Sequence, residues 1–223
     1  MKRTLPQTAS ILVLALASAL AVAGDAANGF LPVEGGDFRS SVRYEEATRQ
    51  TRVASFSLMA RPVSNGEFAG FVARQPQWRR DRIPAVFASP GYLGHWATAD
   101  APGAAVDADA PVVHVNWYAA DAYCREQQAR LPRFVEWEYA AAADATRRDA
   151  RSDPRWRMRQ VNDGTPHAMD AAADAPANAY GIQGLHGAYW EWSEDYASLL
   201  GDGEPRGQQD GDSLRYCGAT ALA

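Results

Sequence analysis

Two cysteines, four histidines and a few closely set carboxylates are the groups in this chain that could do chemistry. Cys124 and Cys217 could form one disulfide, or supply thiolates to a soft metal ion. The histidines are His95, His114, His167 and His186. No two of them fall at a metal-ligand spacing such as H-x3-H, so no imidazole metal pair is legible. His114 sits in the apolar phrase Pro111-Val112-Val113-His114-Val115 and reads as a hydrogen-bonded core residue. His186 reads as structural, and His95 and His167 lie in loops without a nameable partner. Glu136 and Glu138 bracket Trp137. A glycosidase-type acid and base must converge on one bond, whereas positions i and i+2 of a helix point about 200° apart. These two therefore read as scaffold carboxylates that accept backbone N–H groups. The acidic turns Gly201-Asp202-Gly203-Glu204 and Asp210-Gly211-Asp212 lack the regular spacing of an EF-hand and read as solvated loops.

The elements that must position these groups are short. Arg52 to Leu58 alternates in the manner of a strand. Ser64-Asn65-Gly66-Glu67 is a capping box, and Phe68, Phe71 and Val72 follow at i, i+3, i+4, which predicts a helix with one apolar face. Residues 74–113 are broken by Pro76, Pro84, Pro90, Gly91, Gly94 and Pro102, yet hold Trp78, Phe87, Tyr92 and Trp96, the content of a folded irregular stretch. Residues 97–110, rich in Ala and Asp, read as an exposed loop. Pro111 to Val115 reads as a short buried strand. Asn116 can cap a helix from Trp117 to about Gln128, with Trp117, Ala120 and Cys124 on its inner face. Leu131-Pro132 opens a second helix with Trp137, Ala140 and Ala141 on one face. Residues 144–177 are polar and loop-like. No internal repeat is present, and the fold class is α+β.

Lys2 and Arg3, the apolar stretch Ile11 to Val22 and the site Ala21-Val22-Ala23 make residues 1–23 a signal peptide. Its apolar run of about twelve residues is below the roughly 20 that span a bilayer. The expected product is periplasmic or secreted, with no stable membrane anchor after cleavage. Residues 24–36 then read as a tether and 37–223 as one domain. Without the signal the chain keeps 20 basic against 27 acidic residues. That balance, with no basic run, excludes nucleic acid as a partner. Two cysteines are too few for a disulfide scaffold, so the core must rest on the 7 Trp, 9 Tyr and 7 Phe.

Three phrases in register carry a resemblance. They are Pro111-Val112-Val113-His114-Val115-Asn116-Trp117-Tyr118 running into Ala122-Tyr123-Cys124; Arg130-Leu131-Pro132 through Glu136-Trp137-Glu138-Tyr139-Ala140-Ala141; and Asn178-Ala179-Tyr180-Gly181-Ile182, then His186-Gly187 and Trp190-Glu191-Trp192. Together they resemble the sulfatase-modifying-factor, or formylglycine-generating-enzyme, family over roughly residues 30–220. Residues 61–72 also resemble a helix of that family. The resemblance implies a variant of the C-type-lectin fold: a short twisted antiparallel sheet, two main helices and much irregular chain. The Tyr92-Leu93-Gly94-His95-Trp96 and Tyr216-Cys217-Gly218 phrases point within the family to the nitrite-reductase accessory branch.

The family's functional residues survive in part. Its copper site is a pair of cysteines, which this chain lacks: Cys217 falls where the family has a glycine, and the chain ends at Ala223, so that it reads as C-terminally truncated. Copper is not expected. Iron-dependent members need a histidine cluster, for which these four histidines offer no counterpart. The resemblance implies a calcium ion at the Trp-rich motif, held by the Glu191 carboxylate and by the carbonyls of Gly187 and Tyr189. That site is weakened here, because Gly184 and Ala188 replace oxygen-bearing neighbours. The resemblance also implies a Cys124–Cys217 disulfide, whose loop of about 93 residues would contribute roughly 4–5 kcal/mol in the chain-entropy model. The rival is a buried free thiol at Cys124 with Cys217 exposed.

Three functions stay open on these residues. The first is an exported, non-catalytic or divergent accessory protein that binds a protein or peptide partner. The second is an oxidoreductase of the formylglycine-generating type acting on a protein or peptide. The third is a lectin-like carbohydrate-binding module, which rests on the fold alone.

Overall fold

The computed structural model describes residues 29–41, 50–88, 91–163, 176–186 and 189–195, and the rest of this section concerns those residues. The signal peptide, His167, Gly187, Cys217 and the acidic turns after residue 200 lie outside them. No described helix is long and apolar enough to cross a membrane.

Four short strands pair antiparallel in two separate two-stranded sheets. β1 (Phe30–Val33) pairs with β4 (Phe56–Met59), Phe30 opposite Met59 and Val33 opposite Phe56. β2 (Gly36–Arg39) pairs with β3 (Gln50–Val53), Gly36 opposite Val53. Part of the stretch read as a tether is thus strand: Leu31 and Val33 join a core cluster, and an apolar alternation of four residues was too short to stand out beside its glycines. Gly35 must be glycine, because a Cβ there would meet Val53 O at 2.2 Å.

Helix α1 (Asn65–Arg74) starts where the capping box places it. Ser64 Oγ accepts from the Glu67 N–H at 3.2 Å, and Glu67 Oε2 accepts from the Ser64 N–H at 2.8 Å. Its inner face buries Phe68, Phe71 and Val72. Helix α2 (Trp117–Glu126) is capped by Asn116, whose Oδ1 accepts from the Ala119 N–H at 2.9 Å. α2 turns Ala119 and Tyr123 to the core, one position away from the expected Trp117, Ala120 and Cys124, which are only half-buried. Phe68 stacks on the Tyr123 ring at 5.8 Å and Phe71 meets it edge-on at 5.5 Å, so one tyrosine locks α1 to α2. Burying each such aromatic side chain contributes about 1.5–3 kcal/mol. Tyr92, Leu93 and Trp96 complete this cluster, so the Pro/Gly-broken stretch is indeed folded.

Helix α3 (Phe134–Ala141) buries Glu136, Ala140 and Ala141. A fourth helix, α4 (Pro154–Asp163), lies inside the stretch read as loop. Its strongly polar composition hides the apolar periodicity, and it presents a proline in its first turn, where a missing N–H costs nothing. Pro111 forms only an isolated bridge with Ser64, so the expected strand at 111–115 does not form. His114 there is exposed and adopts φ +56°, a left-handed conformation incompatible with a continuing strand. Short antiparallel sheets, helices and long irregular connections amount to the expected α+β class.

Candidate functional site

The residues around the N-terminus of α3 build the site. Arg133 precedes the helix, and Glu136 one turn in reaches back so that its Oε2 accepts the Arg133 N–H at 2.9 Å. Arg130 donates to both Glu136 oxygens at 2.8 and 2.7 Å, and Arg133 Nη2 adds a contact at 3.1 Å. The Glu136 side chain is 3 % exposed. Burial alone would raise its pKa; the arginines and the backbone N–H outweigh that and hold it at about 2. Glu138, two residues on, faces the other way, accepting from Ser40 Oγ at 2.6 Å and the Ser41 N–H at 2.7 Å. The two carboxylates diverge as helical geometry requires, and no acid–base pair forms.

Segment 189–195 is sewn to this helix and to the stretch before α2. Trp192 Nε1 donates to Val115 O at 2.8 Å, and Trp117 Nε1 donates to Ser193 O at 2.8 Å. Trp137 Nε1 donates to the Glu191 carboxylate at 2.5 Å. The Glu194 N–H reaches Pro132 O at 2.8 Å, and Asp195 Oδ1 accepts the otherwise free Phe134 N–H of α3 at 2.6 Å. Indole N–H groups are donors without an acceptor role, so three of them pointed at oxygens fix the segment in place. This is why the Trp-rich motif marks the fold.

Beside the clasp lies a cavity of about 550 Å³. Its wall includes Tyr123, Cys124, Arg130, Trp137, Glu191 and Trp192, and Trp190 stands at its edge, 81 % exposed. The Cys124 thiol is pushed up to about 11 by burial, with Asp121 adding to the effect. A thiol in that state is protonated at neutral pH and is neither a good nucleophile nor a ready metal ligand. Among the described residues Cys124 has no disulfide partner; Cys217 lies outside them. Glu191 is an exposed residue by area, yet its carboxyl is raised from the ordinary range by desolvation, opposed by the Trp137 N–H.

The family-implied metals can be set against these donors. No three His, Cys, Asp or Glu side chains come together among the described residues. Of the calcium donors that the resemblance implies, Glu191 and Tyr189 lie on one segment, one Glu191 oxygen already accepts from the Trp137 indole, and Gly187 falls outside the described residues. Copper(I) needs paired thiolates, and the protonated Cys124 does not supply one.

Of the histidines, His186 takes the expected structural role and His95 lies in the expected loop, whereas His114 departs from its expected place. His186 packs on Trp137 and Trp156, and its Nε2 lies 2.5 Å from Ala141 O, a structural role. His114 is exposed, contrary to the core reading. His95 does have partners: its Nε2 lies 3.3 Å from Asn65 Oδ1, and its ring is 5.6 Å from that of His114. Eighteen residues of irregular chain separate those two, so no spacing rule could have paired them.

Residues 19–218 match the model of a family described as "Sulfatase-modifying factor enzyme 1-like domain". The chain is 28 % identical over 178 residues to the mouse "Inactive C-alpha-formylglycine-generating enzyme 2", covering 73 % of this chain and 55 % of that protein. It is 30 % identical over 222 residues to a formylglycine-generating enzyme of Thermomonospora curvata, covering 77 % and 73 %. It is also 30 % identical over 190 residues to a hercynine oxygenase of Mycobacterium tuberculosis, covering 73 % and 43 %. The chain thus spans about half the length of the mouse and mycobacterial relatives.

Proposed function

The chain belongs to the sulfatase-modifying factor family, and within it we propose a non-catalytic, divergent member that is exported and acts by binding a protein or peptide segment. One observation carries this reading. The cavity beside the Trp-rich segment has the size and apolar-aromatic lining of a binding site, with Arg130 and Glu191 as polar anchors, while the thiol on its wall is held protonated. It is equipped to hold a ligand and not to activate sulfur. Trp190 at the rim supplies the exposed aromatic that anchors so many recognition surfaces. Relatives described as inactive support the same reading. Export rests on residues 1–23 and the periplasmic or secreted location follows from it.

Selection of a displayed random-peptide library on the mature protein tests the proposal. The expected result is a set of peptides with a shared apolar residue, whose affinity drops at least tenfold in Trp190→Ala, a loss of about 1.4 kcal/mol. Peptides that bind Trp190→Ala equally well would refute the cavity as the site. The oxidoreductase alternative draws on the formylglycine-generating and hercynine-oxygenase relatives. It predicts turnover of a cysteine-containing peptide, which the binding reading does not. The lectin alternative has no carbohydrate-specific feature in its favour among the described residues.

A further inference from the structure

We propose that His95 and His114 form a binding site for a divalent transition-metal ion of the zinc type, independent of the cavity and of the family's calcium and copper positions. Neither histidine lines the cavity.

The argument begins at Asn65. Its Nδ2 donates to Asp107 O at 3.1 Å and Ala110 O at 3.0 Å, which fixes the amide so that Oδ1 faces the loop at 91–96. There Oδ1 accepts from Trp96 Nε1 at 2.9 Å and pairs with His95 Nε2 at 3.3 Å. An oxygen can only accept, so His95 carries its proton on Nε2 and presents a lone pair on Nδ1. That Nδ1 is buried and has no hydrogen-bond partner, an uncommon and costly state for an imidazole nitrogen. A ligating histidine held through its other ring nitrogen by an oxygen acceptor is the ordinary outer-shell arrangement of metal sites.

His114 supplies the second ring. The two centroids are 5.6 Å apart, with the planes inclined at 52°. Two imidazoles on one ion, with metal–nitrogen bonds of about 2.0–2.1 Å, put their centroids roughly 5–6 Å apart. Two left-handed residues flank this approach. Leu93 and His114 have φ of +46° and +56°, and the Leu93 N–H donates to His114 O at 3.0 Å, joining the two strained residues. Left-handed non-glycine residues are strained and gather at functional sites. Gly91 lies against His114, where a Cβ would come within 3.6 Å of Nδ1. Among the described residues no third His, Cys, Asp or Glu joins the pair, so water would take the remaining coordination positions. Burial lowers the His95 pKa, with His114 and then the Arg80 guanidinium adding to the effect; that guanidinium donates to Leu93 O and Trp96 O at 2.5 and 3.1 Å. It also opposes a cation, which makes the site a modest one. Imidazole ligands with open positions suit Zn²⁺, Cu²⁺ and Ni²⁺.

Zn²⁺ alone, titrated calorimetrically into the mature, metal-stripped protein, tests this, with imidazole ¹⁵N shifts read in parallel. The shifts should show His95 as the Nε2–H form before metal, and the His95 Nδ1 and one His114 nitrogen should move on addition. His114→Asn, which tolerates the left-handed backbone, should weaken binding by at least about tenfold, as losing even an outer-shell partner does. His95→Gln should do the same, while His186→Gln should not. No binding, or equal affinity in wild type and His114→Asn, would overturn the proposal. So would Nδ1–H as the resting form of His95.

Discussion

Replacing Glu136 by Gln removes one charge from a carboxylate that three N–H sources compete to hold. In the native protein Arg130 grips both oxygens, and Arg133 contributes its backbone N–H and its side chain. The carboxyl is held at about 2 against an ordinary 4.5. A shift of one unit corresponds to about 1.36 kcal/mol, so the pair could contribute about 3 kcal/mol. Arg130 and Arg133 are half-exposed and rehydrate when the partner is lost, which brings the expectation to about 2–3 kcal/mol. Because the folded pKa is depressed, this stability is fully present above pH 4.5 and is lost as pH falls toward 2. Glu136→Gln should therefore unfold about 4–12 °C lower at pH 7. The gap should narrow below pH 4.5 and be largely gone at about pH 2, where the wild-type carboxyl is half protonated. Urea unfolding followed by tryptophan fluorescence at pH 7, 4.5 and 3 measures it, with the m-value unchanged. A gap that stays constant with pH, or no gap at pH 7, would refute the ionic account of this site.

Three further expectations concern the clasp, the core and the thiol. Glu191→Gln keeps an acceptor for Trp137 Nε1 and removes a charge that burial disfavours, so it should be neutral or stabilising at pH 7; Glu191→Ala strands the indole N–H and should cost about 1–3 kcal/mol by denaturant unfolding. Since burial raises this carboxyl, its contribution weakens as pH rises above 4.5, and the Gln variant should lack that slope. Phe71→Ala, at a fully buried position against Tyr123 and Trp78, should cost about 3–5 kcal/mol in the same measurement. In a Cys217→Ser protein, Cys124 should react with a thiol reagent at pH 7 far more slowly than a free cysteine. Rapid reaction would show that the thiol is not held protonated.

Much of this was legible beforehand because local chemistry decides it. The Ser64–Glu67 box and the Asn116 cap each lie within four residues, and both form as read. Three phrases in register, Trp190-Glu191-Trp192 among them, carried the family resemblance, and the indole bonds of Trp117, Trp137 and Trp192 tie those phrases together. What escaped depends on distant pairings or weak patterns. β1 is a strand because β4 lies beside it, and α4 is a helix with hardly any apolar signal. His114 looked buried among valines, yet a single left-handed residue turns it outward. The face of α2 was misread by one position because Ala119 and Ala120 look alike in sequence, and only the Phe68 and Phe71 rings opposite decide which is inner.

The central claim is that a sulfatase-modifying-factor domain here retains a binding cavity without thiolate chemistry. Copper content and oxygen consumption, measured together on the mature protein loaded with Cu(I) under reducing conditions and supplied with a cysteine-containing peptide, test it most directly. The account predicts substoichiometric copper, no oxygen uptake above background and an unaltered peptide cysteine. Copper at one ion per chain, with conversion of that cysteine to formylglycine, would contradict it.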